Sequence, residues 1–158
     1  MRKQQWKTYA FWILLAEAVG FLSGWLTREG TRYFREAVTQ PPLSPPAILF
    51  PIVWGILYLL MGIGAARVSL TGNTPDRSRG LNLFVLQLAV NFLWSPIFFN
   101  LRAYGSAFFW LLLLLALAVA MTLSFRKSVS AAAKLQIPYL VWLAFAAYLN
   151  LGVWYLNR

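Results

Sequence analysis

Of 158 residues, 60% are hydrophobic and 11% charged, against about 45–50% apolar in an ordinary soluble domain, so the apolar surface exceeds what one small core can hide and lipid must cover the rest. Fourteen Lys and Arg against four Asp and Glu give a net charge of +10, but these cations fall between apolar runs instead of clustering on one face, a membrane pattern that argues against nucleic acid as a partner. The absence of Cys and His excludes disulfides and nucleophilic catalysis by Cys or a Ser–His pair, and it removes the usual ligands of zinc, copper and haem iron, so no metal or cofactor is expected.

The first apolar run, Tyr9 to Leu26, follows the basic residues Arg2, Lys3 and Lys7. That start imitates a signal peptide, yet no small-residue cleavage pattern follows, and Glu17, Gly20 and Gly24 interrupt the apolar centre. It reads as a slightly short spanning helix. Four further runs, Ala47 to Ala66, Leu81 to Phe99, Ala107 to Phe125 and Leu135 to Leu156, each approach the roughly 20 residues that cross a bilayer core. Lipid offers the backbone no hydrogen-bond partners, so these runs are helices. The predicted fold is an all-α integral membrane protein, one transmembrane domain over residues 1–158 built as a five-helix bundle.

The long connection from Thr27 to Pro46 carries Tyr33, Phe34, Ala37 and Val38 on one face of a short amphipathic helix suited to the interface. Pro41-Pro42-Leu43-Ser44-Pro45-Pro46 follows. This stretch cannot be helical through its middle and runs extended, with Pro45 or Pro46 opening the second spanning helix. The whole connection reads as a stiffly tied lid. Leu101 to Ser106 barely suffices for a turn, which makes the third and fourth spanning helices antiparallel neighbours. No internal repeat is evident, which weakens an inverted-repeat transporter reading. The amino terminus and the second and fourth connections carry nine cations, and the other side carries five. The positive-inside rule then puts the amino terminus in the cytoplasm, with the lid and carboxyl terminus outside.

Eight Trp is a high count. Trp6, Trp12, Trp25, Trp110 and Trp154 stand near segment ends and read as interfacial anchors. Trp54, Trp94 and Trp142 lie well inside their helices, with company at helical spacing: Trp54 with Tyr58, Asn91 with Trp94 and Phe98, and Tyr139 with Trp142 and Ala146. Converging faces of this kind line an aromatic pocket for a flat apolar ligand. The same rings filling a bundle core is an equally open reading, and Gln87, Asn91 and Asn150 serve equally as hydrogen-bond glue between helices. Glu17 is the only acid well inside a helix; burying it charged costs on the order of 3 kcal/mol, so it is expected neutral or paired. Gly20 and Gly24 suggest a close helix contact. The fourth helix, with Leu111 to Leu115 in a row, is expected to face lipid and add little to a site.

Pro41 to Gly62 reads PPLSPPAILFPIVWGILYLLMG. Its double-proline loop, Phe-Pro, Trp and Leu-Tyr-x-x-Met-Gly resemble the signature of the translocator protein (tryptophan-rich sensory protein) family. Asn91 to Phe99 (NFLWSPIFF) and Ile137 to Asn150 (IPYLVWLAFAAYLN) are similar to two further family motifs. The resemblance implies a homodimeric five-helix bundle in a bacterial inner membrane, with a cavity beneath the first loop that binds protoporphyrin IX and, in relatives, sterols or synthetic ligands. It assigns Trp54, Asn91, Trp94, Phe98, Trp142 and Ala146 to that pocket, with Tyr33 and Pro46 from the lid, and Tyr58 joins them as the neighbour of Trp54. Bacterial relatives are associated with light-dependent porphyrin breakdown, a photochemical role that would fall to Trp54 and Trp142.

The chain departs from the family pattern at Arg32 and Leu43, where relatives usually carry aromatics, so two aromatic contacts to a ligand are expected to be missing. Its carboxyl end, Val153 to Arg158, fits a loose sterol-recognition pattern, although Tyr155 and Arg158 read mainly as interfacial anchors. A porphyrin would stack on Trp while its propionates meet Arg28, Arg32 or Arg35. The rivals are a small solute transporter, which predicts flux in sealed vesicles and sensitivity to neutralising Glu17, and an assembly protein with no small ligand.

Overall fold

A computed structural model describes residues 2–158. The chain forms α1 (Arg2–Leu26), α2 (Arg28–Ala37), α3 (Leu49–Ser69), α4 (Pro75–Ser95) continued by a π-helical turn (Pro96–Asn100), α5 (Tyr104–Ser128), α6 (Ser130–Lys134) and α7 (Ile137–Leu156). Among the described residues five helical stretches are long and apolar enough to cross a bilayer: Gln4–Leu26, Leu49–Ser69, Pro75–Asn100, Tyr104–Ser128 and Ser130–Leu156. The expected count holds, and the boundaries move for local reasons.

The third span already begins at Pro75, because Thr74 Oγ1 accepts from the Arg77 N–H at 3.1 Å and Pro75 sits at the first helical position. The polar first turn it starts is invisible to hydropathy. The second span begins at Leu49 and not at the prolines. Two tight turns, Leu49 N–H to the Pro46 carbonyl at 3.0 Å and Phe50 N–H to the Ala47 carbonyl at 3.3 Å, come first. The last span is broken between α6 and α7, where Pro138 cannot donate and its ring would clash with the Lys134 carbonyl in a continuous helix.

α4 and α5 form the most extensive helix pair, as their short connection predicted, followed by α1 with α3 and α5 with α7. This corrects the expectation for α5. Leu111, Leu114, Ala118, Met121 and Phe125 on one of its faces are buried, while Leu112, Leu113 and Leu123 point outward. A helix apolar all round carries no polar stripe to say which side is core.

Away from the lid, the helices touch backbone to backbone. A Cβ at Gly62 would lie 2.6 Å from the Ile13 Cα, so only glycine lets α1 and α3 come this close. Midway along the bundle a buried chain of hydrogen bonds ties three helices together. The Tyr58 hydroxyl donates to Asn91 Oδ1 at 2.6 Å, Asn91 Nδ2 donates to the Tyr139 hydroxyl at 2.8 Å, and that hydroxyl donates to Gln87 Oε1 at 2.7 Å. In a bilayer such bonds contribute roughly 0.6–2 kcal/mol each. The glue reading of Gln87 and Asn91 is therefore the one their geometry fits.

At the other end α2 caps the bundle. Its Phe34 ring packs on Phe98 and Phe99 at 5.3 and 5.4 Å. Of the expected amphipathic face, Phe34 and Val38 turn inward, whereas Tyr33 and Ala37 are exposed. Residues 38–48 form a strap across the mouth, in which exposed Leu43 takes a left-handed φ of 70°.

A tryptophan-walled chamber under the lid

Phe50, Trp54 and Tyr58 recur every four residues on α3 and share a face. α7 brings Trp142 and Ala146 opposite, and α4 with its π-turn adds Asn91, Trp94 and Phe98. These faces enclose a cavity of about 780 Å³ below α2 and the strap. Trp54 and Trp142 meet edge to face, with centroids 6.5 Å apart and planes at 90°. Trp142 also meets Phe50 at 5.8 Å, and Trp94 stacks on Phe98 at 4.9 Å. Trp94 is held in place: its Nε1 donates to Asn150 Oδ1 at 3.1 Å, while Asn150 Nδ2 donates to the Tyr104 carbonyl at 2.8 Å.

Of the residues singled out in the sequence, Trp54, Tyr58, Asn91, Trp94, Phe98, Trp142 and Ala146 line the cavity. Tyr33 and Pro46 do not. The Tyr33 ring lies on the outer side of α2 under the Arg102 guanidinium, 3.5 Å from its centroid, and Pro46 is exposed in the turn leading to α3, leaving Gln40, Pro41, Ser44, Pro45 and Ala47 to form the strap's share of the wall. Arg32 and Leu43 also lie outside the wall.

Several wall residues were missed. Phe50 lies one turn before Trp54, and Leu149, Asn150 and Val153 continue the Trp142–Ala146 face; extending the three-and-four spacing would have found them. Leu111 and Leu114 come from the helix expected to face lipid. Trp25, read as an anchor, lines the chamber with the Arg28 guanidinium 4.5 Å above its ring. Trp110 is also more than an anchor, since its Nε1 donates to the Val90 carbonyl at 2.8 Å and fixes α5 on α4. Gly20 meets the Tyr58 ring, the expected close contact. Gly24 faces open space instead: a Cβ there meets no atom of the described residues within 4 Å.

The chemistry of the wall is recognition of a flat apolar body. Aromatic faces and edges dominate, and the Asn91 and Asn150 amides already spend their donors and acceptors on Tyr58, Tyr139, Trp94 and the Tyr104 carbonyl. Charge enters at two levels. Arg28 and Arg35 stand at the lid end, and Glu17 stands deeper on α1.

The TspO/MBR family model matches residues 12–156. The translocator protein of Ovis aries is 36% identical over 156 residues, covering 97% of this chain and 92% of the relative. The tryptophan-rich protein TspO of Chlorobaculum tepidum is 35% identical over 151 residues, covering 95% and 96%, and the translocator protein of Homo sapiens is 39% identical over 144 residues, covering 89% and 85%. With five membrane-length helices, the ordered Trp-bearing motifs and this end-to-end similarity, the chain belongs to the TspO/MBR family of integral membrane proteins.

Proposed function

We propose that the protein is a membrane receptor or carrier whose chamber binds porphyrins such as protoporphyrin IX and, less selectively, other flat apolar molecules such as sterols. The observation that carries this reading is the edge-to-face pair of Trp54 and Trp142 in a chamber of about 780 Å³, inside the roughly 300–1,000 Å³ range of small-molecule sites. An offset or edge-on aromatic contact contributes about 0.5–1.5 kcal/mol beyond the area it buries. Arg28 and Arg35 at the lid end supply cations for the carboxylates of such a ring by charge-assisted hydrogen bonds. The distribution of cations supports an orientation with the lid facing outward, and the family resemblance supports an inner membrane location.

Titration of protoporphyrin IX in the dark, followed by quenching of tryptophan fluorescence, tests the reading. Saturable quenching is expected, with affinity weakened about three- to tenfold by Trp54→Phe or Trp142→Phe. Unsaturable quenching, or equal affinity in parent and variants, would remove the chamber as the site. Repeating the titration under light addresses the photochemical role that the family resemblance gives these two rings. Loss of porphyrin absorbance that needs both of them assigns them chemistry; loss that is indifferent to them leaves recognition alone.

A further inference from the structure

The chamber is closed toward the lid by fastened backbone. The Thr39 N–H donates to Asn157 Oδ1 at 3.1 Å, and Asn157 Nδ2 donates back to the Thr39 carbonyl at 2.7 Å. The Tyr148 hydroxyl donates to the Pro42 carbonyl at 2.8 Å, and Pro41 rests on Gly152, where a Cβ would lie 2.5 Å from the ring. The side wall between α1 and α3 is different. These helices touch at Gly62 on the Ile13 backbone and at Gly20 on the Tyr58 ring. Nearer the lid, Gly24 of α1 and Gly55 of α3 both line the chamber, and a Cβ on either meets no atom of the described residues within 4 Å.

Exposure shows where the wall ends. Phe21 lines the chamber yet is 73% exposed, and Gly24, Ala47 and Pro51 are likewise both lining and exposed. On the opposite wall Leu111, Leu114, Asn150 and Val153 are at most 2% exposed. A residue that both lines a cavity and faces outward marks where the cavity meets its surroundings. Here Phe21 and Gly24 belong to the apolar run Gln4–Leu26 and Pro51 and Gly55 to Leu49–Ser69, so those surroundings are acyl chains near the interface.

We propose that the gap between Gly24 and Gly55 is a lateral portal through which the chamber takes its ligand from the bilayer and not from water. The inference rests on the chamber being the ligand site. The molecule it suits is an amphiphile with a flat apolar body and an anionic end. Such a molecule sits at the interface with its charge at headgroup depth, where Trp25 and Arg28 frame the lid end of the gap and Arg35 lies beyond. Sliding sideways keeps the apolar body out of water throughout, and the fastened strap need not open.

Leucine at both glycines narrows the gap: each Cβ starts in open space, and leucine favours the helix more than glycine. In vesicles carrying protoporphyrin IX, quenching of the Gly24→Leu/Gly55→Leu protein is expected to develop about tenfold more slowly than in the parent, while Asn157→Ala, which frees the strap, changes the rate by less than about twofold. Unslowed quenching in the leucine protein, or marked acceleration by Asn157→Ala, overturns the portal. A second measurement needs no porphyrin. The chain has no Cys, so Gly24→Cys accepts a single nitroxide. Collisions of that label with lipid-soluble oxygen are expected to exceed those with a water-soluble nickel chelate, and the reverse order overturns the portal. Absence of saturable quenching in the parent would instead overturn the porphyrin reading, with the nitroxide result still deciding the portal.

Discussion

A Cβ built on Gly62 would lie 2.6 Å from the Ile13 Cα, whereas one built on Gly24 or Gly55, on the same two helices nearer the lid, meets no atom of the described residues within 4 Å. The helices α1 and α3 therefore clasp at one end and part at the other. Between these regimes lies the Tyr58–Asn91–Tyr139–Gln87 chain, which fastens α3, α4 and α7 at the floor of the chamber. Protein interiors normally close voids of this size, since each unfilled space forfeits dispersion contacts. The bundle keeps one by gathering its tight contacts below the floor and bracing the walls with wide aromatic rings. Small residues thus have two opposite uses here: contact in the closed half, clearance in the open half.

Substitutions that exchange these uses should separate the halves. The largest effect is expected from Gly62→Leu, which pushes α1 off α3 and destabilises the bundle by about 3 kcal/mol or more, read as a lowered thermal midpoint in detergent micelles; a midpoint equal to the parent's would mean that the helices are not locked there. Next comes Asn91→Leu, which strips the Tyr58 hydroxyl of its acceptor and the Tyr139 hydroxyl of its donor and is expected to cost about 2 kcal/mol. The same unfolding experiment checks it, with Tyr58→Phe expected to cost less because only one bond is lost.

The sequence carried the bundle more clearly than the chamber. Five apolar runs named the spans, and the brief Leu101–Ser106 connection placed α4 beside α5, because length and hydropathy are local properties. The helix ends were less legible: the capping of α4 by Thr74 lies in a polar turn, and the break before Pro138 sits inside an apolar run. Trp54, Trp94 and Trp142 stood out because aromatic and polar residues recurred at helical spacing beside them, but that spacing suits a chamber wall and a filled core equally, and only the family resemblance favoured the wall. Phe50 was available on the same argument and was passed over. Tyr33 went wrong for a different reason: a ten-residue helix with aromatics at adjacent positions turns only one of them inward, and Arg102, distant in sequence, captures the other. The inward role of Leu111 and Leu114 had no local signal, since five consecutive leucines look alike from every side.

Smaller effects sharpen the contrast at the open end. Asn157→Ala removes the reciprocal bonds to Thr39 and is expected to leave global stability within about 1 kcal/mol of the parent. Its signature is local: faster amide exchange at Thr39, whose N–H loses its acceptor, with α3 and α4 unchanged. Uniform acceleration along the chain would contradict a strap that is fastened separately from the bundle. The smallest effect belongs to Gly24→Ala. With no described atom near the added methyl, helix propensity alone should raise stability by roughly 0.5–1 kcal/mol, the opposite sign to Gly62→Leu. A destabilised Gly24→Ala protein would mean that the gap is filled.

The most direct test of the central claim is a structure of the protein grown from lipid with protoporphyrin IX. The expected result places the macrocycle in the chamber against the Trp54 and Trp142 rings, with its carboxylates toward Arg28 and Arg35. A macrocycle lying on the outer, lipid-facing surfaces of the helices, with the chamber empty, would contradict it.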